Sequence, residues 1–158
     1  KLRKRDDQGQ YWWELRSCAY YVEFEKLKIV VPDLAPSPRF AIESKCLYPD
    51  MTAFVLSSSD PYLLGILNSR LMEFFFFKIS ASVRGETFRF KKQYMEQLPI
   101  FPATDAQKSP ITQRVQAILA DPSSPDVPRL EAEIDELVFD LYGLTATERA
   151  LVLMSGLA

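Results

Sequence analysis

Apolar and polar positions in the first third of this 158-residue chain follow the two-residue period of β-strands. Residues 28–32 (KIVVP) are β-branched and stop at a proline, and residues 39–44 (RFAIES) and 52–57 (TAFVLS) alternate between polar and apolar side chains. Prolines and other turn-forming residues separate the three segments. The pattern predicts a small mixed or antiparallel sheet.

The pattern changes to a helical period after residue 60. Asp60 can accept hydrogen bonds from the unpaired N–H groups of a helix start, and Pro61 is tolerated in the first turn. Apolar side chains then recur at helical spacing: Leu63, Leu64, Leu67, Leu71, Phe74 and Phe75. We predict one long apolar helix that packs against the sheet, and therefore an α+β fold.

A further strand is predicted after this helix. Gly85 permits a tight turn, and residues 87–90 alternate, which places Phe88 and Phe90 on one face and Arg89 on the other. We expect Arg89 to be free to reach a ligand. The predicted core comprises Leu64, Leu67, Phe74, Phe88, Phe90 and Leu98, and we interpret the aromatic segment 11–15 (YWWEL) as packing rather than as a platform for stacked bases.

A boundary is predicted near residue 102, where Pro99 and Pro102 precede a polar run at 103–109. Residues 1–102 would form the α+β domain, and residues 103–158 a C-terminal helical appendage. Helices are predicted at 110–120, 128–142 and 146–154. Gly143 would end the second of them, and Thr145 and Glu148 would form a capping box for the third.

Charge divides the chain at the same place. Residues 1–100 carry 15 Lys and Arg against 12 Asp and Glu, whereas residues 101–158 carry 4 against 9, so net charges of +3 and −5 give the total of −2. A nucleic-acid surface would therefore lie in the first part. Lysines neutralise phosphates, and an arginine fork can pair with guanine O6 and N7. The candidate lysines are Lys78, Lys91 and Lys92, and the candidate arginines are Arg39, Arg84 and Arg89, each with the alternative of an exposed solubilising charge.

Several classes of chemistry are disfavoured by composition. The chain has no His, which removes imidazole-based catalysis, and Cys18 and Cys46 are too few for a zinc site or a disulfide framework. It contains neither a glycine-rich phosphate loop nor an Asn-Pro-Pro-Tyr-like segment, so we expect no catalytic residue, no metal and no bound cofactor in these residues. Acidic residues of 131–140 fall on the polar side of a helix and are assigned no chemistry. No window is apolar enough to span a membrane, and a cytoplasmic location is expected.

The order of several segments resembles a known family. These are FEKLKIVVPDL (24–34), RFAIES (39–44), YLLGILNSRL (62–71), VRGETFRFKKQYMEQLPI (83–100) and IDELVFDLYGLTATE (134–148). Together they resemble the C-terminal target-recognition region of bacterial adenine-specific DNA methyltransferases, including the TaqI-like specificity domain of fused type IIG restriction-modification enzymes.

The resemblance implies a domain that grips duplex DNA and selects the site that an upstream domain of the same polypeptide methylates. That upstream domain would bind S-adenosylmethionine and transfer its methyl group to adenine N6, and a fused enzyme would also cleave DNA. The DNA-binding residues implied in this chain are Arg84, Gly85, Arg89, Lys91 and Lys92. Because the sequence starts without Met or a signal segment, we expect it to be a piece of such a protein.

An alternative function is a protein-interaction module. The acidic C-terminal helices would then dock a partner subunit through the apolar stripe between Leu130 and Leu141. A stand-alone hydrolase that uses carboxylates is disfavoured, because no acidic pair converges on a nucleophile.

Overall fold

A computed structural model describes residues 2–4, 8–14, 21–43, 47–49, 51–80, 82–83 and 87–155. After a short 3-10 helix (Leu2–Lys4), the first half contains α1 (Tyr21–Glu25), β1 (Lys28–Pro32), β2 (Leu34–Ala35), β3 (Ala41–Glu43), β4 (Ala53–Leu56), α2 (Pro61–Asn68) and α3 (Arg70–Ile79). The second half contains β5 (Ser82–Val83), β6 (Thr87–Arg89), α4 (Lys92–Met95), α5 (Asp105–Ala120), α6 (Val127–Leu141) and α7 (Ala146–Ser155). The predicted α+β class, with helices at the C-terminal end, is confirmed.

The three predicted strands of the first third form one antiparallel sheet in the order β3-β1-β4. The central strand β1 pairs Ile29 with both Ile42 and Leu56, and its Ile29 and Val31 side chains are fully buried. The bounds of β1 agree with the predicted segment, while β3 and β4 are shorter than predicted. Burial of the β-branched residues explains why β1 takes the central position.

A second antiparallel sheet, in the order β2-β6-β5, was not predicted from the sequence. The pairings are Leu34 with Arg89 and Val83 with Thr87, and the Phe90 amide donates to the Asp33 carbonyl at 2.9 Å. Asp33 links the two sheets, because its amide also donates to the Thr52 carbonyl at 2.8 Å, and the two residues after it form β2 and pair with β6.

The predicted long helix is two helices, and the prediction of one continuous helix was wrong. Ser69 has ψ 154°, and its Oγ donates to the Ile66 carbonyl at 2.7 Å while accepting from the Met72 amide at 3.3 Å. One side chain thus satisfies the end of α2 and the start of α3. Phe74 is partly exposed and lies outside the core cluster, so its assignment to the core was wrong, whereas Phe76 is 1% exposed.

The remaining core predictions fare better. Leu64, Leu67 and Phe90 are buried, and Phe88 and Leu98 pack against the core while remaining partly exposed. The interpretation of the aromatic segment as packing was wrong, because Tyr11, Trp12 and Trp13 are 49%, 39% and 62% exposed. Tyr11 and Trp13 stack on each other with ring centroids 4.8 Å apart. Leu15, the last residue of that segment, lies outside the described residues.

The C-terminal helices pack against α2 and α3 and contribute to the same buried core as the first sheet. Ile111, Val115, Ile134 and Val138 belong to the same buried cluster as Ile29. Helix α5 begins at Asp105, five residues earlier than predicted, because Thr104 and Gln107 form a capping box and Pro110 is accommodated inside the helix.

The predicted helix ends are confirmed. Gly143 has φ +69°, and the Thr145 amide donates to Glu148 at 2.8 Å while the Glu148 amide donates back to Thr145 Oγ1 at 3.4 Å.

Within the part of the chain that the structure describes, no helix is both long and apolar enough to cross a membrane.

Candidate nucleic-acid interface

Strand β6 is held against α3 by stacked aromatic rings. Phe88 stacks on Phe77 with centroids 3.9 Å apart, and Phe90 stacks on Phe76 at 4.3 Å. Phe40 meets Phe90 edge to face at 5.3 Å. Such pairs stabilise by about 0.5–1.5 kcal/mol each beyond their buried area. The predicted facing of Phe88 and Phe90 is therefore confirmed, and it gives β6 a rigid support.

Arg89 projects from the opposite face of β6, where its side chain lies beside Asp33. Its Nε lies 3.5 Å from Asp33 Oδ2, close enough for an ion pair but without hydrogen-bond geometry. Among the described residues Nε has no hydrogen-bond acceptor, although the side chain as a whole is 40% exposed. The expectation that Arg89 is free was therefore too simple, because the arginine keeps donor capacity while it faces Asp33.

Lys91 and Lys92 follow directly and are both exposed. Lys92 Nζ lies 3.4 Å from Glu96, an exposed pair of the kind that contributes little to stability. Lys91 has no ion pair among the residues that the structure describes. Both lysines and Asp33, the partner of Arg89, border one cavity. We refer to Arg89, Lys91 and Lys92 as the basic cluster.

Lys78 lies in the last turn of α3, next to Phe77 in the chain, and is exposed. Its Nζ sits 5.2 Å from the centre of the Phe74 ring. This contact leaves the ammonium on the surface, at the end of the helix that supports β6.

Arg39 borders a different cavity from the basic cluster. Its Nε is 3.4 Å from Ser37 Oγ, and it precedes β3, at the sheet edge opposite β4. The lining of its cavity also includes Glu73, Glu131 and Asp135. The pKa of the Asp135 carboxyl is raised to about 6, mainly by burial and also by the charges of Glu131 and Glu73, while a bond from the Arg70 amide at 2.8 Å opposes the rise. The structure thus places Arg39 beside an acidic cavity that Lys91 and Lys92 do not border.

Arg84 and Gly85 lie outside the described residues. The strands on either side of them are described, since β5 ends at Val83, β6 begins at Thr87, and these two residues pair. Within the described ranges, no group of three or more His, Cys, Asp or Glu side chains is arranged to hold a metal ion.

Sequence reasoning missed two residues that position the site. Asp33 faces Arg89, and no spacing rule marks an aspartate after a proline-ended strand as the partner of a distant arginine. Asn68 clamps the segment before β3, since its Oδ1 accepts from the Phe40 amide and its Nδ2 donates to the Phe40 carbonyl, both at 2.9 Å. This clamp holds the ring of Phe40 in position against Phe90.

Comparison with protein families agrees with this architecture. The model of the TaqI-like C-terminal specificity domain matches residues 3–100, which are more than half of the chain and include both sheets, α1 to α4 and the basic cluster. No curated protein matches the chain. The chain belongs to the family of TaqI-like C-terminal specificity domains.

Proposed function

We propose that this chain recognises a specific sequence in duplex DNA through Arg89 of β6 and the lysines that follow it. Membership of a specificity-domain family supports a DNA-recognition role in restriction-modification. The observation that carries the proposal is the position of Arg89 on a strand held by two aromatic stacks, with Lys91 and Lys92 directly after it, within the matched region.

The residues of the basic cluster would make different contacts with DNA, according to their side-chain chemistry. Lys91 and Lys92 are exposed ammonium groups, suited to phosphates and indifferent to sequence. Arg89 has a planar fork that suits guanine O6 and N7. Because its contact with Asp33 lacks hydrogen-bond geometry, Arg89 would give up little when a base replaces the carboxylate. Arg84 and Gly85 are proposed to extend the same surface, with Lys78 and Arg39 at its margins.

The reaction belongs to a different domain in this proposal. An upstream domain of the same polypeptide would bind S-adenosylmethionine and methylate adenine N6, as in a bacterial, cytoplasmic type IIG enzyme. The present residues would bind and orient the DNA only. Family membership supports such a non-catalytic role in a restriction-modification protein.

The salt dependence of binding tests the phosphate contacts. Fluorescence anisotropy with a random-sequence duplex should give a log Kd that rises linearly with log salt concentration. Replacing both Lys91 and Lys92 by Ala should lower the slope by about 2, because each released counterion contributes about 0.9. Arg129→Ala is the matched control, since it removes a cation from α6 outside the matched region. An unchanged slope in the double variant would reject the assignment.

Methylation by the full-length parent tests the base contacts. Changing Arg39, Arg84 and Arg89 together to Ala should alter the methylated sequence or slow methylation. If the parent keeps both its rate and its target, these arginines do not read bases.

A further inference from the structure

The cavity beside Lys91 runs along one edge of the first sheet. It has a volume of about 800 Å³, and its lining includes all five consecutive residues 53–57, which are β4 and the residue after it. Side chains alternate across a strand, so a cavity that touches every residue in turn follows the strand edge rather than one face. Among the described residues, β4 has β1 as its only neighbouring strand.

The ladder shows which backbone groups of β4 face the cavity. The Asp33 amide donates to the Thr52 carbonyl at 2.8 Å, and in the same register Val31 pairs with Phe54 and Val30 with Val55. Hydrogen-bonded pairs alternate in an antiparallel ladder, so Phe54 exchanges bonds with β1 whereas Val55 does not. The amide and carbonyl of Val55, and likewise of Ala53, therefore point away from β1 towards the cavity.

The walls of the cavity are apolar. Leu63 and Leu67 of α2, Met95 of α4 and Ile100 border it, and Phe24 and Pro49 complete the lining. A strand edge that no other described strand covers, beside apolar walls, has the geometry that accepts an extended peptide as an added strand, with backbone bonds for affinity and pockets for alternate side chains.

The charges at the rim indicate what the peptide should carry. Each acidic residue there already has a basic partner: Glu23 pairs with Lys26 at 2.5 Å, Asp33 with Arg89 at 3.5 Å, and Glu96 with Lys92 at 3.4 Å. Lys91 is left as the one rim charge without an ion pair among the described residues. An acidic residue at one end of the peptide would complement it.

We propose that the β4 edge and the apolar cavity beside it form a docking site for an extended protein segment with alternating apolar residues and an acidic residue that reaches Lys91. This proposal is independent of the DNA-recognition function. A segment bound there would contact the same ammonium group that is proposed to contact DNA phosphate.

The test uses the full 158-residue chain and fluorescein-labelled synthetic peptides in which valine and threonine alternate over about six residues. The peptides end in aspartate at one end or the other, and matched peptides end in lysine. We expect an aspartate peptide to bind with a Kd of about 100 μM, and the corresponding lysine peptide about tenfold more weakly. Amide NMR shifts should move at Ala53 and Val55.

Two variants locate the site. Val55→Pro removes the outward amide without removing a bond to β1, since proline is tolerated where an edge-strand N–H faces outward, and it should weaken binding at least about tenfold. Val55→Thr keeps the amide and the branched shape and should bind normally. Lys91→Glu should reverse the preference in favour of the lysine peptide. If Val55→Pro does not fold, this reversal is the test of the site.

The proposal is overturned if neither aspartate peptide binds with a Kd below about 1 mM, because the free energy of binding would then be weaker than about −4 kcal/mol. Equal binding of aspartate and lysine peptides, or full binding by a folded Val55→Pro variant, would also overturn it. If duplex DNA rather than peptide shifts the amides of Ala53 and Val55, the edge belongs to the DNA surface and the proposal is wrong.

Discussion

At the scale of single residues, the least expected feature is the complete burial of Lys28. Its Nζ donates to the Phe24 carbonyl and to Glu43 Oε2, both at 2.7 Å, and Lys28 faces Glu43 across the β1–β3 ladder. A lysine at the start of an apolar strand normally stays at the surface, so the pattern KIVVP predicted the strand but could not predict this pair. The pair ties α1 and β3 to the central strand.

Removing Lys28 should be costly because the nearly buried Glu43 carboxylate loses the ammonium group that it bonds at 2.7 Å. We expect Lys28→Met to lower the free energy of unfolding by about 3 kcal/mol, as measured by urea denaturation. Adding Glu43→Gln should recover part of that loss, because it removes the negative charge that Lys28 balanced. If the effects of the two changes simply add, the pair is not coupled and this interpretation of Lys28 is wrong.

Asp135 gives the protein a defined dependence of stability on pH. Its pKa rises from 3.8 in the unfolded chain to about 6 in the folded protein, mainly through burial. Because the folded state holds the proton more tightly, the stabilisation is fully present below pH 3.8 and is lost as the pH rises through 6. The carboxyl is partly solvated, so we expect a change of about 1–2 kcal/mol in the free energy of unfolding.

Urea unfolding measured between pH 4 and 7 tests this expectation. Asp135→Asn should flatten the profile, while the amide oxygen can still accept the bond from the Arg70 amide. Glu131→Gln, an exposed residue one turn earlier on the same helix, should keep most of the slope. A wild-type profile that Asp135→Asn leaves unchanged would contradict the assignment.

At the scale of elements, α2 and α5 approach closely at Gly65. A Cβ atom at this position would lie 2.8 Å from Ile111 Cγ2 and 3.0 Å from Val115 Cγ2. Both neighbours are buried and cannot move into solvent. Gly65 therefore allows the C-terminal helices to share the core of the α+β part.

Gly65→Ala should destabilise the protein in spite of alanine's better helix propensity. Overpacking costs about 1–3 kcal/mol, and the propensity gain of about 1 kcal/mol offsets only part of it. The cost should shrink in an Ile111→Ala background, where the clashing methyl group is absent. A thermal melt in which Gly65→Ala raises the Tm of the otherwise wild-type chain would contradict the close approach.

The elements also show what sequence patterns can predict. Periodicity located β1, and short-range capping chemistry located the ends at Asp60, Gly143 and Thr145, because these signals depend on neighbouring residues. The break at Ser69 was missed because the apolar period continues across it. The pairing of β2 with β6 was missed because a strand of two residues is too short to show a periodic pattern. Its partner strand is also more than fifty residues away in the sequence.

At the candidate site, too, sequence patterns predicted the features that depend on neighbouring residues and missed those that depend on tertiary packing. Alternation correctly placed Phe88 and Phe90 on one face and Arg89 on the other, because that depends on strand geometry alone. The contact of Arg89 with Asp33 and the acidic surroundings of Arg39 arise from the tertiary packing of distant segments, which a single sequence does not encode in its spacing.

At the scale of the whole molecule, one core joins the two predicted regions, 1–102 and 103–158. Ile111, Val115, Ile134 and Val138 of the C-terminal helices pack in the same cluster as the first sheet. The apolar stripe that could have docked a partner, between Leu130 and Leu141, is turned towards this core, with Ile134 and Val138 buried. The acidic helices thus act as structural support for the more basic part.

Truncation after residue 102 tests that dependence. Because the cut exposes the faces of α2 that pack on α5, we expect the shortened chain to lose its cooperative thermal transition and to bind the dye ANS. Adding the separate 103–158 peptide should restore part of the transition. A shortened chain as stable as the full one would show that the regions fold independently.

The central claim, that a rigid aromatic support presents Arg89 to base edges while Lys91 contacts the backbone, is tested most directly by selecting preferred sequences from a random duplex library with the wild-type chain, Arg89→Ala and Lys91→Ala. The account predicts that Arg89→Ala loses preference at one base position, by about 1–3 kcal/mol, and that Lys91→Ala weakens all sequences alike. The same preferred sequence for wild type and Arg89→Ala, or a change in preference with Lys91→Ala alone, would contradict it.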